Sequence, residues 1–252
     1  MILELAHLSL VYQTVEGETE ALHDVSFAVE EGEFVSLLGP SGCGKSSLLK
    51  LMAGLEKPTE GQLFLDGEPV RSGSGRIGYM PQRDALFPWR SVWGNVKLSA
   101  ELRGMRDRES EQRLHALLSQ YGLGEFEGQS PQSLSGGMRQ RAALIRTLAM
   151  TPRVLLLDEP FSALDAQTRL SVGEDIQRII RAQGLTAVLV THDIGEAAAL
   201  SDRIIVLTER PGRVLNIHSV GELSSLPPHE RRSTRAYAEL FERIRKELNV
   251  RV

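Results

Sequence analysis

From Ile2 to about residue 12 the chain is rich in Leu, Ile and Val, and from Leu22 to Val29 apolar and polar positions alternate through Val25 and Phe27. Both segments are predicted strands of a sheet with one wet face. The apolar run Phe34–Leu38 suits a short buried strand. A glycine-rich turn follows it, and Ser46 to Ala53 is predicted as a helix closed by Gly54. Short strands at 62–65 and 76–80 flank a Gly/Ser-rich loop at 72–75. From about 84 to 150 helical spacing replaces alternation. Leu114, Leu117, Leu118 and Tyr121 fall at i, i+3, i+4 and i+7, and Met138, Ala142, Ile145 and Ala149 form a second stripe that Pro152 ends. Val154–Leu157 is the most apolar run of the chain. After it come a helix from about Gln167 stopped by Gly184, a strand at 187–190, a short helix to Leu200 and a strand at 204–207. Strands alternating with helices argue for an α/β fold with a parallel sheet. In the tail from Pro228, Tyr237, Leu240, Phe241, Ile244 and Leu248 share one face of an amphipathic helix.

Composition narrows the function classes. The 252 residues, 41% hydrophobic and 25% charged, suit one large domain or two small ones and argue against disorder. With 29 Lys and Arg against 33 Asp and Glu the net charge is −4, so bulk charge gives no support to a nucleic-acid partner. Cys43 is the single cysteine, which forbids an internal disulfide and makes a reducing compartment the simpler reading. No stretch approaches the about 18 apolar residues of a membrane span. The first residues carry an early acid, Glu4, and no basic region, so they do not read as a secretory signal. The expectation is a soluble, cytosolic protein whose membrane role, if any, comes through partners.

Gly39, Pro40, Ser41, Gly42, Cys43, Gly44, Lys45 and Ser46 match the phosphate-loop pattern between a predicted strand and a predicted helix, with Ser47 next. Glycines let the backbone curl so that several N–H groups point at one anion, and the helix start adds partial positive charge. Lys45 can reach the β and γ phosphates, and the Ser46 hydroxyl can ligate Mg²⁺. Cys43 reads either as a small residue fitting the turn or as a thiol beside bound phosphate. Asp158 and Glu159 close the second buried strand. There they can hold the Mg²⁺ shell and act as general base, or simply form strand-end salt bridges.

Leu134-Ser135-Gly136-Gly137-Met138-Arg139-Gln140 is another glycine-rich helix start with a hydroxyl, a second anion site that an ordinary phosphate-loop enzyme would not need. It closely resembles the signature sequence of ABC-type ATPases, the nucleotide-binding subunits of ABC transporters. The resemblance runs over roughly residues 2–215, with every motif in order. It implies a phosphate-loop NTPase core of ABC ATPase type: an α/β fold with a mainly parallel sheet, an N-terminal antiparallel β subdomain and a helical signature subdomain. It further implies an ATPase domain at 1–220, with the helical part at about 84–150 inserted, and a short helical extension at 221–252. ATP and Mg²⁺ are the implied cofactors. Two subunits would pack head to tail, so that Ser135, Gly136 and Gly137 of one meet the γ-phosphate held by the other. Tyr12 resembles the aromatic that stacks on adenine, although a strand tyrosine is also ordinary core or surface. Gln82 resembles the glutamine that senses Mg²⁺ and links to the membrane partner, and Ser162 to Asp165 resemble the segment that communicates across the dimer. His192 resembles the histidine that contacts the γ-phosphate, or else it is a capping residue. On this reading Glu159, His192, Lys45 and Gln82 are catalytic, and Ser46, Gln82 and Asp158 hold the metal.

Leu86–Val92, which contains Phe87, Pro88 and Trp89, and Glu209–Val214 are similar to segments of the nitrate, sulfonate and taurine importers. Trp89 reads equally as core or as a docking surface. The implied partners are a second ATPase subunit, transmembrane permease subunits and, indirectly, a solute-binding protein. The implied location is peripheral, on the cytoplasmic face of the membrane. Two other readings stay open: the ATPase of an exporter or lipoprotein-release system, and a non-transport ABC ATPase acting on DNA or ribosomes. The short spacing between Gly39 and Leu134 and the single copy of each motif weigh against the last.

Overall fold

A computed structural model of the chain describes residues 1–15, 17–71, 73, 75–105 and 107–249. In chain order the elements are β1 (Leu3–Thr14), β2 (Gly17–Val29), β3 (Phe34–Leu38), α1 (Lys45–Met52), β4 (Glu60–Leu65), β5 (Glu68–Pro69), β6 (Ile77–Met80), α2 (Val92–Leu102), α3 (Arg108–Gln120) and α4 (Gly136–Leu148). They continue as β7 (Val154–Asp158), α5 (Ala166–Ala182), β8 (Thr186–Thr191), α6 (Ile194–Leu200), β9 (Arg203–Leu207), β10 (Val214–Ser219), α7 (Pro228–Arg231) and α8 (Arg235–Asn249). The chain divides into two compact units, one made of Met1–Ser74 with Ile180–Val252, the other of Gly75–Ile179.

The first unit holds an antiparallel sheet in the order β2-β1-β4-β5. Its β2 shows why: Leu22, Val25, Phe27 and Val29 are buried while their neighbours are wetter, as the alternation predicts. The same unit holds β10-β9-β3-β8, in which β9, β3 and β8 run parallel and β10 returns antiparallel. Every residue of β3 and β8 is buried, which parallel strands covered on both faces require. The tail helix α8 buries Leu240 and Ile244 in a core with Ala197, Ala198, Ile204 and Val206. This matches the amphipathic face read from the sequence, except that the tail is two helices. Arg231 ends the first, fully buried, with its guanidinium donating to the carbonyls of Leu226, Ser201 and Ser224.

The second unit pairs β6 with β7 in parallel, Met80 opposite Leu157. Its helices follow the predicted stripes: Leu114, Leu117 and Leu118 of α3 and Ala142 and Ile145 of α4 are buried. Two strands escaped prediction, the two-residue β5 and β10. The 72–75 loop lies partly outside the described residues. Among the described residues no helix is long and apolar enough to cross a membrane.

Candidate functional site

The first unit gathers one half of the candidate residues. β3 delivers the chain into the glycine turn, and its register sets Leu38 beside Thr191, so Gly39 and His192 leave the sheet at the same end. Gly44, at φ 103°, opens α1, and a Cβ there would lie 2.8 Å from the Ala21 carbonyl oxygen; the turn therefore requires glycine. The Lys45 side chain folds back over the loop and donates to the carbonyls of Gly39 (2.7 Å) and Pro40 (2.8 Å). Only 5% of Lys45 is exposed, so the loop encircles its ammonium. No side chain caps the start of α1 and no acid occupies its first turn, leaving the positive end of the helix dipole for an anion. Cys43 is buried within the turn, and that burial pushes its thiol above the ordinary range, partly offset by Lys45.

Tyr12 stands beside this loop. Its hydroxyl lies 2.6 Å from Glu56 Oε2 and 3.0 Å from Ser47 Oγ, and Ser47 is in the first turn of α1. Burial and the Glu56 contact raise the phenol pKa, so the ring is neutral at ordinary pH. His192 is exposed after β8, just before the N-cap of α6. There Asp193 accepts from Glu196 N–H (3.1 Å) and Glu196 Oε2 meets the Thr191 hydroxyl (2.6 Å). The capping role open for His192 therefore belongs to Asp193.

The second unit gathers the other half. Asp158 ends the buried strand β7 and accepts from the Tyr79 hydroxyl at 3.1 Å. Glu159 follows at φ 43°, a left-handed conformation unusual for a residue with a side chain. Its Oε2 lies 3.4 Å from Gln82 Nε2, which also lies 3.5 Å from Ser162 Oγ. Gln82, Glu159 and the 162–165 segment are thus brought together. The signature joins them: Ser135 caps α4 by accepting from Met138 N–H, and a Cβ on Gly136 would sit 2.8 Å from Leu164 Cδ2. Gly137 is glycine because Val172 of α5 would be only 2.7 Å from its Cβ.

Among the described residues no cluster of three or more His, Cys, Asp or Glu forms a cage for a metal. The candidate metal residues Ser46, Gln82 and Asp158 offer oxygen donors, the kind that Mg²⁺ takes together with phosphate oxygens and water. The glycine cradle, the uncapped helix start and the enclosed lysine fit a polyphosphate.

Sequence reasoning missed three supporting residues. Glu56 holds Tyr12, Tyr79 holds Asp158, and Asn95 ties down the loop that displays Trp89. Glu56 and Tyr79 work through partners 44 and 79 residues away, and Asn95 works through Phe87 and Ser91 of a loop that follows no regular period.

A buried strand, a glycine turn over a lysine and a second strand ending in paired acids define a phosphate-loop nucleotide hydrolase. The chain belongs to the ABC transporter family, whose model matches residues 22–162, and it is an ATP hydrolase of that type, working with ATP and Mg²⁺. It is 45% identical to the uncharacterised ABC transporter ATP-binding protein YtlC of Bacillus subtilis, over 98% of this chain and 95% of that protein. It is 38% identical to the aliphatic sulfonates import ATP-binding protein SsuB of Bacillus cereus, over 98% of this chain and 94% of that protein. Among solved structures it resembles the dimeric ATP-binding cassette MJ0796 bound to ADP and Pi, with 32% identity and a TM-score of 0.74. That match covers 87% of this chain and 99% of the cassette.

Proposed function

We propose that this chain is the ATP-hydrolysing subunit of an importer for an aliphatic sulfonate or a similar small solute such as nitrate or taurine. Two copies close around two ATP molecules on the cytoplasmic face of the membrane and drive separate permease subunits, which a solute-binding protein supplies. Residues 1–220 form the ATPase domain, with 84–150 inserted, and 221–252 extend it.

Within the site, Tyr12 stacks on adenine and the N–H groups of Gly39 to Ser47 wrap the phosphates. Lys45 stabilises charge that builds on the β/γ bridge. Ser46, Gln82 and Asp158 would hold Mg²⁺, which when bound would supply charge against the phosphate oxygens. Glu159 takes the proton from the attacking water. His192 contacts the γ-phosphate, and Ser135, Gly136 and Gly137 of the second copy donate to it from the opposite side.

The observation that carries the coupling role is the loop after Gln82. Trp89 is 76% exposed, its ring 5.0 Å from that of Phe87. The loop beneath it is fixed. Fully buried Asn95 accepts from Phe87 N–H (2.6 Å) and donates to the carbonyls of Phe87 (3.1 Å) and Ser91 (3.0 Å). Arg146 donates to the carbonyls of Asp84 (2.8 Å) and Ala85 (2.6 Å), and Arg139 pairs with Asp84 at 3.1 Å. A large apolar ring on a loop rigid before contact suits a docking anchor, because little freedom is lost on binding. Gln82, at the head of this loop, touches Glu159 and can relay a change at the γ-phosphate outward.

The test is reconstitution with the co-purifying permease subunits. ATP-dependent uptake of an aliphatic sulfonate is the expected result, and a permease that moves only unrelated solutes would refute the solute class. In the same system Trp89→Ala keeps basal ATP hydrolysis of the free subunit within a few-fold. Its affinity for the permease falls about thirtyfold, the equivalent of about 2 kcal/mol, and solute-stimulated hydrolysis falls with it. A fully competent Trp89→Ala complex would remove the loop from the docking surface.

A further inference from the structure

The turn between β9 and β10 has a distinctive sequence, Glu209-Arg-Pro-Gly-Arg213, and none of the roles above uses it. Its backbone is closed tightly: Thr208 N–H donates to the Arg213 carbonyl at 2.9 Å, and the Thr208 hydroxyl accepts from Arg213 N–H at 3.0 Å. It is also stitched to β2. Gly212 N–H donates to the Ala21 carbonyl (3.0 Å), and the Gly212 carbonyl accepts from His23 N–H (3.0 Å).

These bonds press Gly212 onto the phosphate loop. A Cβ on Gly212 would lie 2.2 Å from the Cys43 carbonyl oxygen, so any side chain there would displace the loop. The same seating carries Arg210 to the loop tip. Its Nη2 is 3.9 Å from the point where a Cβ on Gly42 would stand. Arg210 is exposed, and among the described residues no carboxylate pairs with it.

We propose that Arg210 is a second phosphate-binding cation of the ATP site, held at the tip of the phosphate loop by the contact of Gly212 with Cys43. The proposal rests on the phosphate loop being the nucleotide site. Lys45 is enclosed by the loop and reaches phosphate from within, whereas Arg210 approaches from outside. Its planar fork of N–H donors matches phosphate oxygens in pairs. An uncommitted guanidinium beside a polyphosphate site has a larger attraction to ATP than to any neighbouring neutral surface.

The experiment titrates Mg-bound fluorescent ATP analogue into wild type, Arg210→Gln, Arg210→Lys and Lys45→Ala at low and high salt. Cys43 alkylation serves as a separate report on loop integrity. Wild-type Cys43 is buried with its thiol pKa raised, so it reacts slowly. Gly212→Ala supplies the reference for a displaced loop, with Cys43 made reactive. Arg210→Gln is expected to weaken binding roughly five- to tenfold at low salt, with the gap narrowing as salt rises and Cys43 still protected. Arg210→Lys recovers part of the loss. If Arg210→Gln binds like wild type while Lys45→Ala does not, Arg210 lies outside the site. Equal losses in Arg210→Gln and Arg210→Lys, independent of salt and with Cys43 exposed, would replace the charge role by a purely structural one. A Lys45→Ala protein that binds normally would instead overturn the phosphate-loop assignment beneath the proposal.

Discussion

Glu159→Gln is expected to stop ATP turnover while leaving ATP bound. Glu159 follows the fully buried β7 and is held at φ 43°, a conformation that costs a residue with a side chain on the order of 1–3 kcal/mol. Such a cost persists where the surrounding structure dictates it. Here the Gln82 amide lies at the carboxylate end, and the Ser162 N–H donates to the Glu159 carbonyl at 3.2 Å. The amide of glutamine keeps the size and still hydrogen-bonds water, but it cannot accept the proton that water loses. Removing a general base costs roughly 10²- to 10⁴-fold in rate. Turnover should therefore fall at least about a hundredfold, and an ATP-bound dimer should accumulate on a sizing column. A variant that hydrolyses at the wild-type rate would assign the base role to another residue.

Lys45→Ala should be as damaging by a different route. In the proposed site the ammonium would neutralise charge on the β and γ phosphates; it bonds the Gly39 and Pro40 carbonyls at 2.7 and 2.8 Å. Alanine removes the only charge inside the turn yet suits the first position of α1, so the fold should persist. Loss of one preorganised electrostatic donor costs roughly 10²- to 10³-fold in rate, and the affinity for ATP should fall as well. Steady-state hydrolysis checks the first, nucleotide titration the second, and circular dichroism the fold. Near-normal turnover in a folded variant would contradict the phosphate-loop role.

The parts of the molecule legible from sequence are those written by local rules. β3 and β7 are continuous apolar runs because both faces are covered, and α3 and α4 carry their buried stripes at helical spacing. The phosphate loop and signature are legible because backbone conformation and close packing restrict residue type there. Gly44 must adopt a positive φ, and Gly137 must clear Val172. What stayed hidden depends on particular side-chain pairings. The anchoring of Tyr12 by Glu56, the seat of Gly212 on Cys43 and the clamp of Asn95 on the Phe87–Ser91 loop each join residues with no shared period. β10 escaped because its pattern is weak: only His218 is buried, and it pairs with Glu247 of α8 at 2.9 Å. The break between α7 and α8 escaped for a similar reason. It is set by the buried Arg231, a residue that composition alone would place at the surface.

On the proposed reading each ATP site is completed by a second copy of the chain. This is tested most directly by mixing two inactive subunits, Ser135→Arg and Lys45→Ala. Ser135 is exposed at the start of α4, where an arginine would block the approach of a phosphate and remove only the cap to Met138 N–H, worth about 1 kcal/mol. Each homodimer has two defective sites. In the mixed dimer one site combines both lesions, and the other pairs an intact phosphate loop with an intact signature. Mixing is expected to restore hydrolysis, with one ATP consumed per mixed dimer in a single turnover. Mixed dimers that demonstrably form yet hydrolyse nothing would contradict it.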